Sequence, residues 1–288
     1  HIESADFLRN LRFGKTDEMT YNNDLDLFKA VIKKMNTINR GFNLFMRSDV
    51  PPKSGLGSSA AAFAAVIGVF NHLRQERKMT HYELAETAYK LEREELKIGG
   101  GKQDQYATVF GGLNFIEFGD GWVRVNPLRM KKDHILELEK HILLVFIGER
   151  TVEGGVIEDE KRGYIEKNTD VISALEKTKE IAQEVRYALL KGDMYRFGEL
   201  LHGAWLMKQR HSPLITTPFI NDVYDLARKN GALGGKVTGA GGGGFMMFFC
   251  EPNKEHKVID ALKKTGLNPF SFTFDFEGLQ TWEINSPQ

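Results

Sequence analysis

Two hydroxyls stand where a glycine-rich stretch turns into an apolar run, in Pro51-Pro52-Lys53-Ser54-Gly55-Leu56-Gly57-Ser58-Ser59-Ala60. Glycines let a backbone bend closely around a ligand, and a helix start offers unpaired N–H groups and the positive end of its dipole. That combination suits a polyphosphate. It is not the loop that closes in Gly-Lys-Ser/Thr, because Lys53 precedes the glycines. The candidate nucleotide contacts are Pro52, Gly55, Leu56, Gly57, Ser58, Ser59 and Ala60. Packing alone can also explain a Gly/Ser loop before a buried helix, and either serine can serve as its cap.

Phosphoryl transfer also needs a divalent cation and a residue that orients or deprotonates the attacking hydroxyl. Asp104 stands between two glutamines after Gly99-Gly100-Gly101-Lys102, in what reads as a glycine-led loop where a lone carboxylate has few structural duties. It is the candidate base, against the alternative of a surface Asx-turn. Lys102 is a candidate for placing substrate or offsetting charge, or is simply solvated. Glu92 ends an apolar helical pattern and can project toward the phosphate loop, although its neighbours Arg93-Glu94-Glu95 make a solvated charge run an equal reading. The run Gly241 to Gly244 costs conformational entropy, which argues for close backbone approach. We expect the loop Gly239 to Gly244 to pack against the first loop and complete a nucleotide pocket, with Gly239, Gly241 and Gly242 as its nucleotide-binding positions. Lys208, Arg210 and His211 form the best basic cluster for a second phosphate, though a basic helix end also complements the dipole.

The elements that must position these groups follow from periodicity. Helical faces are expected over Leu25 to Met35, Ser58 to Leu73 and Tyr82 to Glu95. The second of these is apolar nearly all round and should be buried. A strand at Phe42 to Met46 runs into Pro51-Pro52, and Gly119-Asp120-Gly121 reads as a hairpin turn between Leu113 to Phe118 and Trp122 to Val125. Ile142 to Ile147 is a buried strand, and the composition changes near Gly148 to Gly155, dividing domains 1–150 and 151–288. Beyond it lie a charged run at Glu158 to Arg162, two long helices parted at Lys191-Gly192-Asp193, and a third helix over Ile220 to Lys229. Strands at Gly235 to Thr238 and Phe245 to Cys250 flank the glycine run, and a helix covers Lys254 to Lys264. Phe270, Phe272, Phe274 and Phe276 alternate with polar residues, the pattern of a strand with one solvated face. The class is α+β, with helices of the second half on one side of an antiparallel sheet.

The 288 residues allow a sizeable core, and 39 basic residues against 39 acidic ones argue against broad nucleic-acid or anionic-membrane binding. The single cysteine, Cys250, excludes an internal disulfide and reads as a buried strand residue suited to a reducing compartment. No signal peptide is visible in His1 to Arg12, and no apolar run is long enough to cross a bilayer. The expected setting is cytoplasmic; a homo-oligomer is left open.

Three segments together resemble the GHMP kinases, the small-molecule kinases named for galactose, homoserine, mevalonate and phosphomevalonate. Pro51 to Ala62 resembles their second motif, Gly99 to Gln105 the place of their catalytic aspartate, and Lys236 to Gly244 their third motif. The resemblance implies an N-terminal domain like the second domain of ribosomal protein S5 and a ferredoxin-like C-terminal domain, with ATP and Mg2+ as cofactors. It implies Ser59 and Glu92, twelve positions before Asp104, as metal-facing residues; Gly101, Asp104, Lys208, Arg210 and Gly241 are the candidate substrate-binding positions. Ser48-Asp49, Phe110-Gly111-Gly112-Leu113-Asn114, His202-Gly203-Ala204-Trp205, Ala227 to Lys236, and Glu277-Gly278 with Trp282 are similar to the D-glycero-D-manno-heptose 7-phosphate kinases. That implies phosphorylation of the anomeric hydroxyl of a seven-carbon sugar phosphate. The alternatives are a galactose- or fucose-type kinase of the same fold and a catalytically silent sugar sensor. The family's first motif is expected upstream of His1, so that the N-terminal domain lacks its first strands; Phe13-Gly14-Lys15-Thr16-Asp17 echoes that motif faintly. Arg150 to Gly155 departs from the Arg-Ser-Ala of relatives.

Overall fold

The computed structural model describes residues 1–14, 18–35, 41–51, 53–149 and 155–284. Pro52, the Lys15 to Asp17 part of the faint N-terminal echo, and Arg150 to Gly154 lie outside the described residues. The chain divides into two compact units: His1–Pro52, Gly57–Val125 and Asp275–Gln288 form one, Lys53–Leu56 and Asn126–Phe274 the other.

In the first unit, β1 (Ile2–Ser4) pairs antiparallel with β2 (Arg9–Leu11), and β3 (Leu44–Met46) joins β1 in parallel. Sequence periodicity did not reveal β1 or β2, since three-residue strands are too short to show a period. Helix α1 (Asp26–Met35) buries the face expected of it. Its Lys29 is also buried, its ammonium satisfied by Asp26 at 2.9 Å, Asn22 at 2.5 Å and the Thr20 carbonyl at 3.0 Å. Helix α2 (Ser58–Leu73) packs on α1 and carries the core residues Phe63, Ala64 and Ile67. It is not buried all round: Ala61, Ala65 and Val69 form an exposed stripe.

Helix α3 (His81–Tyr89) starts with a capping box, in which Thr80 and Glu83 satisfy each other's backbone N–H groups. The expected single helix to Glu95 instead widens into a π-helical stretch, Lys90–Glu95, closed by the Leu96 N–H on the Leu91 carbonyl at 3.0 Å. The wider turn turns two successive residues, Leu91 and Glu92, inward. The expected loop around Asp104 is likewise a helix, α4 (Gln103–Phe110): the buried Gln105, Tyr106 and Val109 set its inner face, and an acidic residue in a first turn complements the dipole. β4 (Asn114–Gly119) and β5 (Trp122–Pro127) pair as expected around Asp120-Gly121. The chain returns to this unit at its far end, where the Gly112 N–H meets the Asp275 carbonyl at 2.6 Å and the Leu279 N–H meets that of Val109 at 3.1 Å.

In the second unit, α5 (Lys132–His141) leads directly into β6 (Ile142–Phe146). Helix α6 (Gly155–Ile165) contains the charged run, and α7 (Thr169–Lys191) and α8 (Met194–His211) pack on each other. Gly192 ends α7 in a left-handed conformation and Asp193 caps α8, as the turn signal implied. Helix α9 (Pro218–Asn230) precedes β7 (Ala232–Val237), β8 (Phe245–Cys250), α10 (Glu255–Lys263) and β9 (Pro269–Phe270). The sheet order is β7-β8-β6-β9 with every neighbour antiparallel. Val223, Tyr224 and Ala227 of α9 and Val258 and Leu262 of α10 share one core with Val145, Met246 and Phe248 of the sheet. Cys250 is buried in that core, where loss of solvent pushes its thiol up to about 12.

The phenylalanine alternation misleads. Only Pro269–Phe270 pairs, with Val145 and Leu144, and Phe270 and Phe276 stay exposed. The Phe274 N–H donates to the Glu139 carboxylate at 3.0 Å instead of to a strand. Among the described residues, no helix is long and apolar enough to cross a membrane.

Candidate active site

Gly57 is the N-cap of α2, at φ +73° and ψ +22°. That left-handed backbone suits glycine, and a glycine makes no side-chain hydrogen bond to the first turn. The cap alternative for Ser58 and Ser59 therefore does not hold: they are the first two helical residues, Ser58 half-buried and Ser59 exposed. The first bond of the helix runs from the Ala61 N–H to the Gly57 carbonyl at 2.9 Å, so the N–H groups of Ser58, Ser59 and Ala60 precede it. They form the donor end of a helix of 16 residues.

Asp104 lies directly against this end. A Cβ placed on Gly57 would sit 3.4 Å from Asp104 Cβ and 3.5 Å from its Cγ. The rest of the first turn of α4 faces elsewhere. Lys102, Gln105 and Tyr106 are spaced i, i+3 and i+4, one face of a helix, and Asp104 falls off that face. The Lys102 ammonium bonds the Glu86 carboxylate at 3.1 and 3.2 Å and lies 4.5 Å from the Tyr89 ring centre. The Tyr106 hydroxyl donates to the same carboxylate at 3.2 Å, and burial first, then the Glu86 charge, raises the phenol pKa. Gln105, wholly buried, donates to Glu92 Oε2 at 2.6 Å. Three side chains thus tie α4 to α3 and its π extension, while among the described residues the Asp104 carboxylate accepts a single hydrogen bond, from the neighbouring Gln103 amide at 3.2 Å.

Glu92 is 2 % exposed, the opposite of a solvated charge run. Its Oε1 lies 3.4 Å from Arg93 Nη1 and its Oε2 holds Gln105. Among the described residues, no group of three or more His, Cys, Asp or Glu side chains is arranged to hold a metal ion.

In the second unit, Ser54 is fully buried and its hydroxyl accepts from the Leu56 N–H at 3.4 Å. Its carbonyl accepts from the Phe245 N–H at 2.8 Å, which joins Lys53–Leu56 to the end of the glycine run, as expected. The Gly242 N–H meets the Ile215 carbonyl at 2.8 Å, and the Gly244 N–H that of Gly148 at 2.7 Å. Lys208 donates to the Gly239 carbonyl. Arg210 points away, paired with Asp170 at 2.6 Å, and His211 contacts Thr178 at 3.2 Å and Glu160 at 3.5 Å. The expected basic cluster does not converge, because residues two apart on a helix face different sides. Lys236, half-buried on β7, lies closer to the glycine run in sequence; desolvation lowers its ammonium pKa.

Sequence reasoning missed Glu86, Arg93, Gln105 and Tyr106. The i, i+4 spacing of Lys102 and Tyr106 was the available signal, invisible while Asp104 was read as a loop residue.

The GHMP kinase N-terminal domain matches residues 26–112 and the GHMP kinase C-terminal domain matches 185–268, and the chain belongs to this family. It is therefore a phosphotransferase, and its family uses ATP as phosphate donor. The chain is 37 % identical, over 98 % of its length and 80 % of the relative's, to a D-glycero-alpha-D-manno-heptose 7-phosphate kinase of Campylobacter jejuni. It is similar to the crystal structure of a D-glycero-D-manno-heptose 1-phosphate kinase from Bacteroides thetaiotaomicron, with TM-score 0.79, 30 % identity and 99 % and 83 % of the two chains covered. It is also similar to that of a putative sugar kinase from Campylobacter jejuni, with TM-score 0.77, 33 % identity and 98 % and 83 % covered.

Proposed function

We propose that this kinase transfers the γ-phosphoryl group of ATP to the anomeric hydroxyl of D-glycero-D-manno-heptose 7-phosphate. The reading is supported by the names of two relatives, one a heptose 7-phosphate kinase and one a heptose 1-phosphate kinase. A reaction that accepts a 7-phosphate and phosphorylates position 1 accommodates both. The observation that carries the mechanism is the contact of Asp104 with Gly57. A carboxylate at the donor end of α2 is next to whatever phosphate that end holds.

The anomeric oxygen attacks the γ-phosphorus, the bond to the β-phosphate oxygen breaks, and ADP leaves. In the first unit, Gly57, Ser58, Ser59 and Ala60 bind and orient the phosphates; in the second, Gly239, Gly241 and Gly242 are candidate nucleotide-binding positions with bare backbone. Asp104 accepts the hydroxyl proton as the oxygen bonds to phosphorus. In a loose transition state its larger contribution is orientation. Lys102, held by Glu86, stabilises the first turn that carries Asp104. Gly101 is our substrate contact in the first unit; in the second, Lys208 is the candidate for an anionic group, and Arg210, committed to Asp170, a lesser one.

Magnesium, when bound, would supply positive charge against the charge that develops on the transferring phosphoryl group. Ser59 fits such an ion, since its hydroxyl is exposed at the donor end of α2. Glu92 does not fit as a direct ligand, because its buried oxygens already face Arg93 and Gln105. A cytoplasmic setting, where ATP is available, completes the proposal.

Replacing Asp104 with Asn tests the reading. Turnover should fall by roughly two to four powers of ten, the scale for a positioned acid–base group. Nucleotide affinity should change little. Wild-type turnover would end the assignment.

A further inference from the structure

We propose that Arg93 is a positioning residue for phosphoryl transfer, clamping the loop that delivers Asp104, with Glu92 as the second half of the brace. The proposal rests on the reading of Asp104 as the residue that orients the acceptor.

Loop 98–101 is anchored at its start by the Ile98 N–H on the Glu92 carbonyl at 3.1 Å, while Gly99 and Gly101 meet no heavy atom within 4 Å of an added Cβ. Arg93 supplies the missing partner. Its Nη1 donates to the Gly99 carbonyl at 2.8 Å and the Ile98 carbonyl at 3.4 Å, and its Nε donates to the Gly101 carbonyl at 3.3 Å. One planar guanidinium thus gathers the carbonyls of residues 98, 99 and 101, an arrangement an ammonium cannot reproduce. A Cβ on Gly100, whose φ of +147° favours glycine, would lie 2.5 Å from Arg93 Cζ, so the guanidinium rests directly against this residue.

The π-helical stretch makes the brace two-handed. With the extra residue in the turn, Glu92 points into the core and bonds Gln105, while Arg93 points along the loop. Both grips close on the same short segment, one on the loop before Asp104 and one on the residue after it. Gln105 Oε1 has no hydrogen-bond partner among the described residues, so Glu92 is the described group that fixes this amide. The arrangement also accounts for a carboxylate at the family's metal-facing position being buried and already engaged.

The test is a double-mutant cycle on the whole chain, with ATP and the sugar phosphate. Arg93→Ala should lower kcat by about tenfold to a hundredfold, the scale of a displaced reacting group, with both KM values within about twofold. Arg93→Lys should recover only part of the loss, and added guanidinium at low millimolar concentration should partly restore the Ala variant. In an Asp104→Asn background, Arg93→Ala should cause no further loss in kcat. Unchanged kcat in both Arg93 variants overturns the proposal. So does a loss that multiplies fully with that of Asp104→Asn, which would leave the Asp104 reading standing. Wild-type turnover in Asp104→Asn alone would instead remove the reading beneath it. Arg93→Lys keeps the charge and stem, and serves if the Ala variant fails to fold.

Discussion

Asp104 lies against residue 57 at the donor end of α2. A methyl group at 57 would meet the Asp104 Cβ at 3.4 Å, an ordinary contact, but in a backbone conformation, φ +73°, that L-residues disfavour and whose relief shifts the helix start against Asp104. Gly57→Ala should therefore destabilise the protein by about 1–2 kcal/mol from the left-handed backbone alone. It should also lower turnover by roughly tenfold or more, because a small displacement of a reacting group is costly. Urea titration reads the first effect and steady-state kinetics the second. Wild-type kinetics in a measurably destabilised variant would mean that the Gly57–Asp104 contact does not set the chemistry. At this scale the sequence and its family resemblance singled out Gly57, Ser59 and Asp104, and the structure places Asp104 against Gly57, with Ser59 in the first turn of the same helix. What could not be read was which neighbours hold each group. Lys102 looked solvated and is paired with Glu86; Glu92 looked solvated and is buried. Both depend on partners ten or more positions away, which periodicity does not report.

Helices with a strong apolar period declared themselves. Helix α2 begins and ends where expected, and α7, α8 and α9 are set off by Gly192-Asp193 and Gly231. Shorter elements did not. Helix α4 has eight residues behind a glycine run, and glycines argue for a loop until the inward set Gln105, Tyr106 and Val109 is seen together. The phenylalanine alternation gave the opposite error, a strand pattern whose backbone finds a partner at only two residues. Helix α3 offers a test of how tightly such elements are coupled to the site. Thr80 and Glu83 close its capping box, at 2.8 and 3.3 Å, far along the chain from Asp104. Thr80→Ala should cost about 1 kcal/mol of stability and a few degrees of melting temperature. Turnover at 25 °C should stay within about twofold. A large loss of turnover with an unchanged melting temperature would show that α3 acts in catalysis directly rather than as a support for α4.

The molecule as a whole carries the features of its family in two units. The first holds the helix start, Ser59, Asp104 and the brace; the second holds Lys53–Leu56, the glycine run and Lys208. Both family domains are matched, and the relatives span most of the chain, so the activity as a kinase follows from the whole sequence rather than from one motif. The identity of the acceptor is the central claim. The most direct measurement is phosphorus NMR of the protein with ATP, magnesium and D-glycero-D-manno-heptose 7-phosphate. The account predicts a new phosphomonoester signal coupled to the anomeric proton, in step with ADP, and a loss of at least about tenfold in kcat/KM for the same heptose without its 7-phosphate, the scale of a lost contact to a charged group. Equal efficiency on the unphosphorylated sugar, or phosphate appearing on any hydroxyl but the anomeric one, would contradict it.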